Sequence, residues 1–268
     1  MRLSIAIPTF NSSKYLNQLL NKLKNKNTIN EIVINDDYSN NENKKILEQE
    51  VSNFREVSNI PIFLYFNETN MGAFKNKYNC VSQCNGELIY LLDSDNLPMN
   101  SFDKLIKDKV IENFDNNSMY YPSKIFQFHR YPYSARLLSG IFSKYKVTYF
   151  DTNREFEMDE MIQIVMKYKN KNIYTTEDKD IKWFLNSGNF IVGKDSFLDT
   201  FYQGNNVERE DLALDAMAYS YYWLKAGKKI ISLDRFYHYH RKRGDSVSFT
   251  ENINYDLSIE KYFESYLN

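Results

Sequence analysis

Asp93 and Asp95 stand one residue apart at the end of an apolar run, in the stretch GELIYLLDSDNLP from Gly86 to Pro98. Two carboxylates this close repel one another, so a partner of positive charge is expected beside them. Hard oxygen ligands that follow a buried strand suit Mg2+ or Mn2+, which retain waters and bridge to a diphosphate. The same acid-x-acid spacing recurs at Asp178 and Asp180 and at Glu208 and Glu210, where solvated faces account for it. On placement alone, metal binding and a capped loop stand level for Asp93 and Asp95.

Asp36 and Asp37 follow a second apolar run. They suit the start of a turn, or an acceptor for a nucleobase N–H or a ribose hydroxyl. The compact basic cluster His240 to Gly244, HRKRG, fits a small phosphate ligand. His129, in QFHRYPYS, reads as structural or acceptor-facing.

These residues must be held by an alternation of elements. LSIAI (Leu3 to Ile7), EIVIN (Glu31 to Asn35), IFLYF (Ile62 to Phe66) and LIYLL (Leu88 to Leu92) read as strands buried on both faces. Between the first two, Tyr15, Leu16, Leu19, Leu20 and Leu23 form one helical stripe that Ser12 or Ser13 can cap. NENKKILEQEVSNF and GAFKNKYNCVSQCNG supply the next two helices, with Gly86 as a stop. Strand–helix alternation predicts a parallel sheet with right-handed crossovers, whose ligands lie beyond the carboxyl ends of the strands. Thr9 to Asn11, Asp36 and Asp37, and Asp93 to Asp95 all fall at such ends and converge on one crevice.

The second half is less regular. FDKLIKDKVIENF and FEMDEMIQIVMKY read as helices, and MYYPSKIFQFHRYPYS as an aromatic loop or strand. FLNSGNFIVGKDSF reads as strand, turn, strand and helix start. EDLALDAMAYSYYWLKAG reads as a long helix, KKIISL as a strand and DLSIEKYFESYL as a closing helix. With no linker, low-complexity tract or repeat, residues 1–268 are expected to form one domain. Residues 1–98 and residues 99–268 would be its two functional halves.

Composition narrows the classes. Net charge is −1, from 34 basic and 35 acidic residues, so a nucleic-acid partner is not expected. The aromatic fraction of 16% reads as coding bias rather than chemistry. Cys80 and Cys84 suggest neither a disulfide framework nor a zinc site, which fits a reduced, cytoplasmic setting. The N-terminal apolar run is too short for a signal peptide, and no stretch approaches the roughly 20 apolar residues of a membrane span. A soluble protein is expected, compatible with peripheral membrane contact. No G-x-G-x-x-G or G-x-x-x-x-G-K-[ST] occurs, which disfavours dinucleotide dehydrogenases and P-loop enzymes.

Taken together, LSIAIPTFN, EIVINDDYSN and NMGAFKNKYNCVSQCNGELIYLLDSDN resemble the nucleotide-sugar half of family 2 glycosyltransferases with the GT-A fold. The resemblance covers residues 3–98 and is ungapped from Gly72 through Asn96. It implies an α/β fold with a mostly parallel central sheet flanked by helices, with residues 1–98 the nucleotide-sugar-binding half and residues 99–268 the acceptor-binding and catalytic half. It also implies that Pro8 and Thr9 border the base and that Asp37 contacts uracil, with Asp36 beside it. Asn70 and Gly72 match the family's Asn-x-Gly, and Lys77 falls where an Arg usually lies near the diphosphate. Asp93 and Asp95 would bind the metal, with Ser94 among the donor contacts. Tyr38 in place of Gly, Tyr78 of Asn, Cys80 of a small residue and Asn96 of a third acid depart from the pattern.

Farther on, NSGNFIVGKDSF resembles the segment that closes over donor and acceptor, and REDLAL the Glu-Asp pair that opens a helix. An attacking acceptor hydroxyl must lose a proton, and the resemblance assigns that to Asp211, with Glu210 second. Acids in a first helical turn also serve simply as dipole partners. YHYHRKRGDSVS resembles the family's C-terminal flexible loop. There His238 or His240 would ligate metal and Arg241 or Arg243 would neutralise the leaving diphosphate, against the plain alternative of a solvated basic loop.

The reading is an inverting, Mn2+- or Mg2+-dependent transferase moving one sugar from a nucleoside diphosphate sugar, with a UDP-sugar favoured, to a glycan, glycolipid or glycoprotein hydroxyl. The Gln-x-x-Arg-Trp signature of processive relatives is absent, which favours single transfer. The rivals are a nucleotidyltransferase or aspartyl-phosphate hydrolase using Asp93 and Asp95, and a non-catalytic nucleotide- or glycan-binding module.

Overall fold

The computed structural model describes residues 1–128, 146–149, 151–168, 189–202 and 215–241. Among them, ten strands join one sheet along the path β3-β2-β1-β4-β9-β6-β10-β5, with β7 added at β6 and β8 at β10. The first half supplies β1 (Leu3–Thr9), β2 (Ile29–Asp36), β3 (Ile62–Phe66) and β4 (Leu88–Leu91), and all of its pairings are parallel. The second half supplies β5 (Leu97–Pro98), β6 (Ser118–Phe128), β7 (Lys146–Tyr149), β8 (Glu155–Phe156), β9 (Phe190–Gly193) and β10 (Lys229–Arg241). Its strands add antiparallel pairings, β4 with β9 and β10 with β5 among them, so the sheet is mixed.

The pleat divides the core. Leu3, Ile5 and Ile7 of β1 pack with the stripe of α1 (Leu16–Leu23) and with Leu47, Val51 and Phe54 of α2 (Asn41–Val57). Ala6 and Val33 face the other way, toward α3 (Ala73–Ser82) and the second-half helices α6 (Lys194–Tyr202) and α7 (Asp215–Lys225). Alternate residues of a strand point to opposite faces, so a run such as LSIAI fills both layers. β3 departs from that expectation: as the edge strand it leaves Phe63, Tyr65 and Phe66 exposed.

The aromatic wealth of the chain sits largely in this core. Tyr219 stacks on Phe74 at 4.5 Å and meets Phe201 edge-on at 4.6 Å, joining α3, α6 and α7. Its hydroxyl donates to the carbonyl of Phe74 at 2.7 Å, which satisfies the one polar atom of a ring that is otherwise buried.

Local elements mostly follow the sequence. Asn40 caps α2 by accepting from the Asn43 amide at 2.9 Å. Ser12 precedes a short 3-10 turn (Ser13–Tyr15) without a capping bond, because its hydroxyl is engaged elsewhere. The predicted helix from Phe102 starts as α4 (Phe102–Leu105) and continues as a π-helical segment, Ile106–Ile111. FEMDEMIQIVMKY yields α5 (Met158–Tyr168). β10 outruns the expected KKIISL, and Tyr237 to Arg241, read as the start of a loop, are its last residues. The closing helix expected over DLSIEKYFESYL lies outside the described residues, as does His129.

Candidate functional site

The carboxyl ends of β1, β2 and β4 lie side by side, because β1 pairs in parallel with both neighbours. Pro8 and Thr9 close β1. The Thr9 hydroxyl meets Ser12 Oγ at 2.8 Å, and Ser12 Oγ meets Ser94 Oγ at 2.6 Å. This buried hydroxyl chain ties the loop after β1 to the residue between the two aspartates.

At the end of β2 the two acids have different tasks. Asp36 is buried and accepts from the Ser39 amide at 2.9 Å and the Ser39 hydroxyl at 2.5 Å, holding the turn. Burial raises its pKa, against the pull of those two bonds. Asp37 accepts from Asn67 Nδ2 at 2.9 Å and from the amides of Met71 and Gly72 at 2.8 and 2.9 Å. It therefore fixes the Asn-x-Gly loop. Gly72, at φ +84°, occupies a backbone region that L side chains rarely adopt, and its amide also donates to Asn70 Oδ1 at 3.2 Å. Beneath this floor Asn76 Oδ1 accepts from Asn35 Nδ2 at 2.7 Å and Asn67 Nδ2 at 3.2 Å.

Asp93 and Asp95 follow β4 and precede β5, which is pinned by pairing with Tyr239 and His238 of β10. Lys77 reaches Asp93 from α3. Its ammonium, 5% exposed as a residue, lies 3.1 Å from Asp93 Oδ1 and 2.5 Å from Asp215 Oδ2 at the start of α7. The other Asp93 oxygen accepts from Asn96 Nδ2 and Asn189 Nδ2, each at 3.3 Å, and Asn189 Oδ1 accepts from the Asp93 amide at 2.8 Å. Burial pushes the Asp93 carboxyl up to about 6; Lys77 opposes that rise, and Asp95 and Asp215 add to it. Lys77 itself is held charged, its pKa raised by Asp215 and Asp93 against the burial that would lower it. A positive partner for Asp93 is thus supplied on the inner side by the protein itself.

The last residues of β10 complete the wall. Arg241 donates its amide to Asn96 Oδ1 at 3.1 Å, Nε to the Asp95 carbonyl at 3.2 Å and a terminal nitrogen to Gln18 at 2.5 Å. Its guanidinium also covers the Tyr15 ring at 4.4 Å. His238 and His240, two residues apart on one strand face, have ring centroids 6.1 Å apart. His238 is fully buried with no hydrogen-bond partner on either ring nitrogen, and burial drives its pKa well below the ordinary histidine value.

Among the described residues no group of three or more His, Cys, Asp or Glu stands assembled as a metal cage. The donor types nevertheless fit Mn2+ or Mg2+. Carboxylate oxygens, with an orphaned neutral imidazole on the strand that pairs directly after them, suit a divalent ion that keeps waters and takes phosphate oxygens. Asp95, Asp93, His238 and His240 are the residues that would hold it.

Glu210, Asp211 and Arg243 lie outside the described residues. Four participants were not singled out in the sequence, although Asn189 lies within NSGNFIVGKDSF, the segment whose resemblance pointed to the site. Asp215 sits in the same helical pattern as Glu210 and Asp211, but nothing in the chain order ties it to Lys77. Asn189, Asn76 and Gln18 are polar residues whose roles exist only through partners 96, 41 and 223 residues away.

A parallel β-α unit that delivers an Asp-x-Asp to the crevice, followed by a mixed half-sheet that walls it, is the GT-A fold of nucleotide-sugar-dependent transferases. The glycosyl transferase family 2 model matches residues 4–176, and the chain belongs to that family. Over 113 residues it is 32% identical to the abequosyltransferase RfbV of Salmonella typhimurium, a match spanning 41% of this chain and 31% of that protein. Over 99 residues it is 33% identical to the poly(ribitol-phosphate) beta-N-acetylglucosaminyltransferase TarS of Staphylococcus aureus, covering 35% of this chain and 16% of TarS. The matches thus span less than a third of these relatives' lengths. The structure of S. aureus TarS 1-349 in complex with UDP-GlcNAc superposes with a TM-score of 0.59 at 19% identity, over 97% of this chain and 65% of that one. GalNAc-T7 with UDP, GalNAc and Mn2+ gives 0.60 at 13% identity, over 97% and 48%. No described helix is long and apolar enough to cross a membrane.

Proposed function

We infer that this chain transfers a single sugar, with inversion, from a UDP-sugar to a hydroxyl of a glycan, glycolipid or glycoprotein acceptor, its two halves acting as one unit. The observation that supports this most is the Asp93-Ser94-Asp95 loop, braced by Lys77 and Asn189 on one side and by Arg241 on the other, at the crevice of a family 2 fold. TarS and GalNAc-T7 have been captured with UDP-sugar or UDP in the same fold, which favours uridine as the base.

In this reading the segments after β1 and β2, with Pro8, Thr9 and Asp37, border the nucleoside, and Asn70 and Gly72 line its edge. Asp37 Oδ2 accepts from the Gly72 amide, and a carboxylate oxygen has room for a second donor such as a base N–H. Asp93 is turned toward Lys77, Asn96 and Asn189, so Asp95 is the carboxylate better placed to serve a divalent cation together with His240 and His238. Bound Mn2+ or Mg2+ would supply positive charge against the departing diphosphate. Arg241, anchored through the Asp95 carbonyl and Gln18, or Arg243 would offset charge on the leaving diphosphate. Asp211, or Glu210, accepts the acceptor's proton as its oxygen attacks the anomeric carbon, and the diphosphate leaves with the bonding pair.

The test is calorimetric titration of UDP with and without Mn2+ on the wild type and on Asp95→Ala. Metal-dependent binding that the variant loses supports the donor site. No binding of UDP, GDP, dTDP or CDP in either condition overturns it.

A further inference from the structure

Tyr38 combines two features that are individually unfavourable. Its backbone lies at φ +65°, where a side chain with a Cβ is strained, and the residue is 53% exposed. Neither local geometry nor burial accounts for an aromatic residue there. Strain of this kind persists where the surroundings over-determine the conformation, and such positions concentrate at ligand sites. The surroundings do so here. Ser39 is held by Asp36 through two hydrogen bonds, the Asn11 amide donates to Ser39 Oγ at 2.7 Å, and the Asn40 amide donates to Asn11 Oδ1 at 3.1 Å. The ring is thereby presented by a turn with little freedom left.

The ring is also part of a cationic-aromatic group at the carboxyl edge of the sheet. The Lys44 ammonium lies 4.7 Å from the Tyr38 ring centroid and 5.7 Å from that of Phe66, itself exposed at the end of β3. The next residue back along the chain is Asp37, buried at the end of β2. A flat face backed by an ammonium, on the residue that follows a hydrogen-bond acceptor in the chain, suits a planar heterocycle, which stacks on one and donates to the other.

We propose that Tyr38 is a positioning residue for the donor, its ring forming the outer wall against which the nucleobase packs. This rests on the donor reading above and deepens it. The strain is retained because glycine, which the backbone would accept more readily, offers the base no face.

The experiment compares Tyr38→Gly, Tyr38→Phe and wild type by thermal melting and by calorimetry with UDP plus Mn2+ and with inorganic pyrophosphate plus Mn2+. Tyr38→Gly is expected to melt at or above the wild-type temperature while its UDP affinity falls roughly tenfold and its pyrophosphate affinity stays the same. Tyr38→Phe is expected to keep wild-type affinity. If wild type binds UDP and Tyr38→Gly binds it equally well, the ring has no part in the donor site and the proposal fails alone. A lowered melting temperature with unchanged affinity assigns Tyr38 to the stability of the Lys44 cluster and also overturns it. If wild type binds no nucleoside diphosphate, the donor reading fails and takes this proposal with it.

Discussion

Lys77 and Asp215, 138 residues apart in sequence, meet at 2.5 Å, and the same ammonium reaches Asp93 at 3.1 Å. One helical turn away, Phe74 stacks on Tyr219 at 4.5 Å. The earlier residue of α3 thus faces the later residue of α7 and the reverse, so the two helices run antiparallel. The ion pair forms at the end nearest the aspartate loop. It couples the half that carries Asp-x-Asp to the helix that follows Glu210 and Asp211.

Removing Asp215 should therefore be felt in both stability and function. Asp215→Asn is expected to cost about 1.5–3 kcal/mol, the range for a hydrogen bond to a charged group. Lys77→Met should cost more, about 3–5 kcal/mol, because it leaves two carboxylates without their common cation. Urea denaturation of both variants checks the order. Equal stability in Asp215→Asn and wild type would show that the pair contributes nothing.

Asp95 adds to the upward shift of the Asp93 pKa, and its backbone carbonyl anchors Arg241. Asp95→Asn keeps that carbonyl, so the variant should still unfold cooperatively yet lose Mn2+-dependent UDP binding. Paired calorimetry and denaturation measure both halves of that expectation.

The Asp93 carboxyl, pushed up to about 6 by burial against the pull of Lys77, has a direct pH signature. A folded-state pKa above the unfolded one favours folding at low pH, and that contribution disappears as pH rises from about 4 through 6. Ligand binding that needs the carboxylate runs the other way. Mn2+-dependent UDP affinity should fall by up to about tenfold per unit as pH drops below 6 and be flat above it. An affinity constant from pH 5 to 7 would contradict this.

His238 acts in the opposite sense on stability. Its pKa is lowered by burial and by His240, so its neutral form is favoured by folding. Stability from this residue is present above the ordinary histidine pKa of about 6.5 and is lost as pH falls below it. The slope should reach at most about 1.4 kcal/mol per pH unit in metal-free protein. Denaturation of His238→Phe at pH 7 and pH 5 should show that component removed.

Asn76→Ala is expected to destabilise by about 1–3 kcal/mol, since Asn35 Nδ2 loses its better acceptor and the Thr9 carbonyl loses a donor inside the floor of the crevice. Chemical denaturation checks it, and an unchanged midpoint would mean that water replaces the amide.

The parallel half of the fold was legible because its signals are local. Continuous apolar runs from Leu3, Ile32, Ile62 and Leu88 alternate with helical stripes, the pattern of a parallel sheet, although the run from Ile62 became a half-exposed edge strand. The end of β10 was not legible. Tyr237 to Arg241 resemble loop residues by polarity, but β6 on one side and β5 on the other satisfy their backbone groups as strand. The aromatic content was misleading for a related reason: composition gives amounts, while the Phe74–Tyr219–Phe201 stack depends on three helices meeting.

The sequence by itself determined which residues stand at strand ends. Asp37, Asp93 and Asp95 reach the crevice because a parallel strand delivers whatever follows it to the same edge of the sheet. The tertiary structure alone decided what each acid does there. Asp36 holds its own turn, Asp37 clamps the Met71–Gly72 amides, and Asp93 faces inward to an ammonium shared with Asp215. These assignments come from contacts between residues tens to hundreds of positions apart, and charge pairing across such distances leaves no periodic trace in a chain.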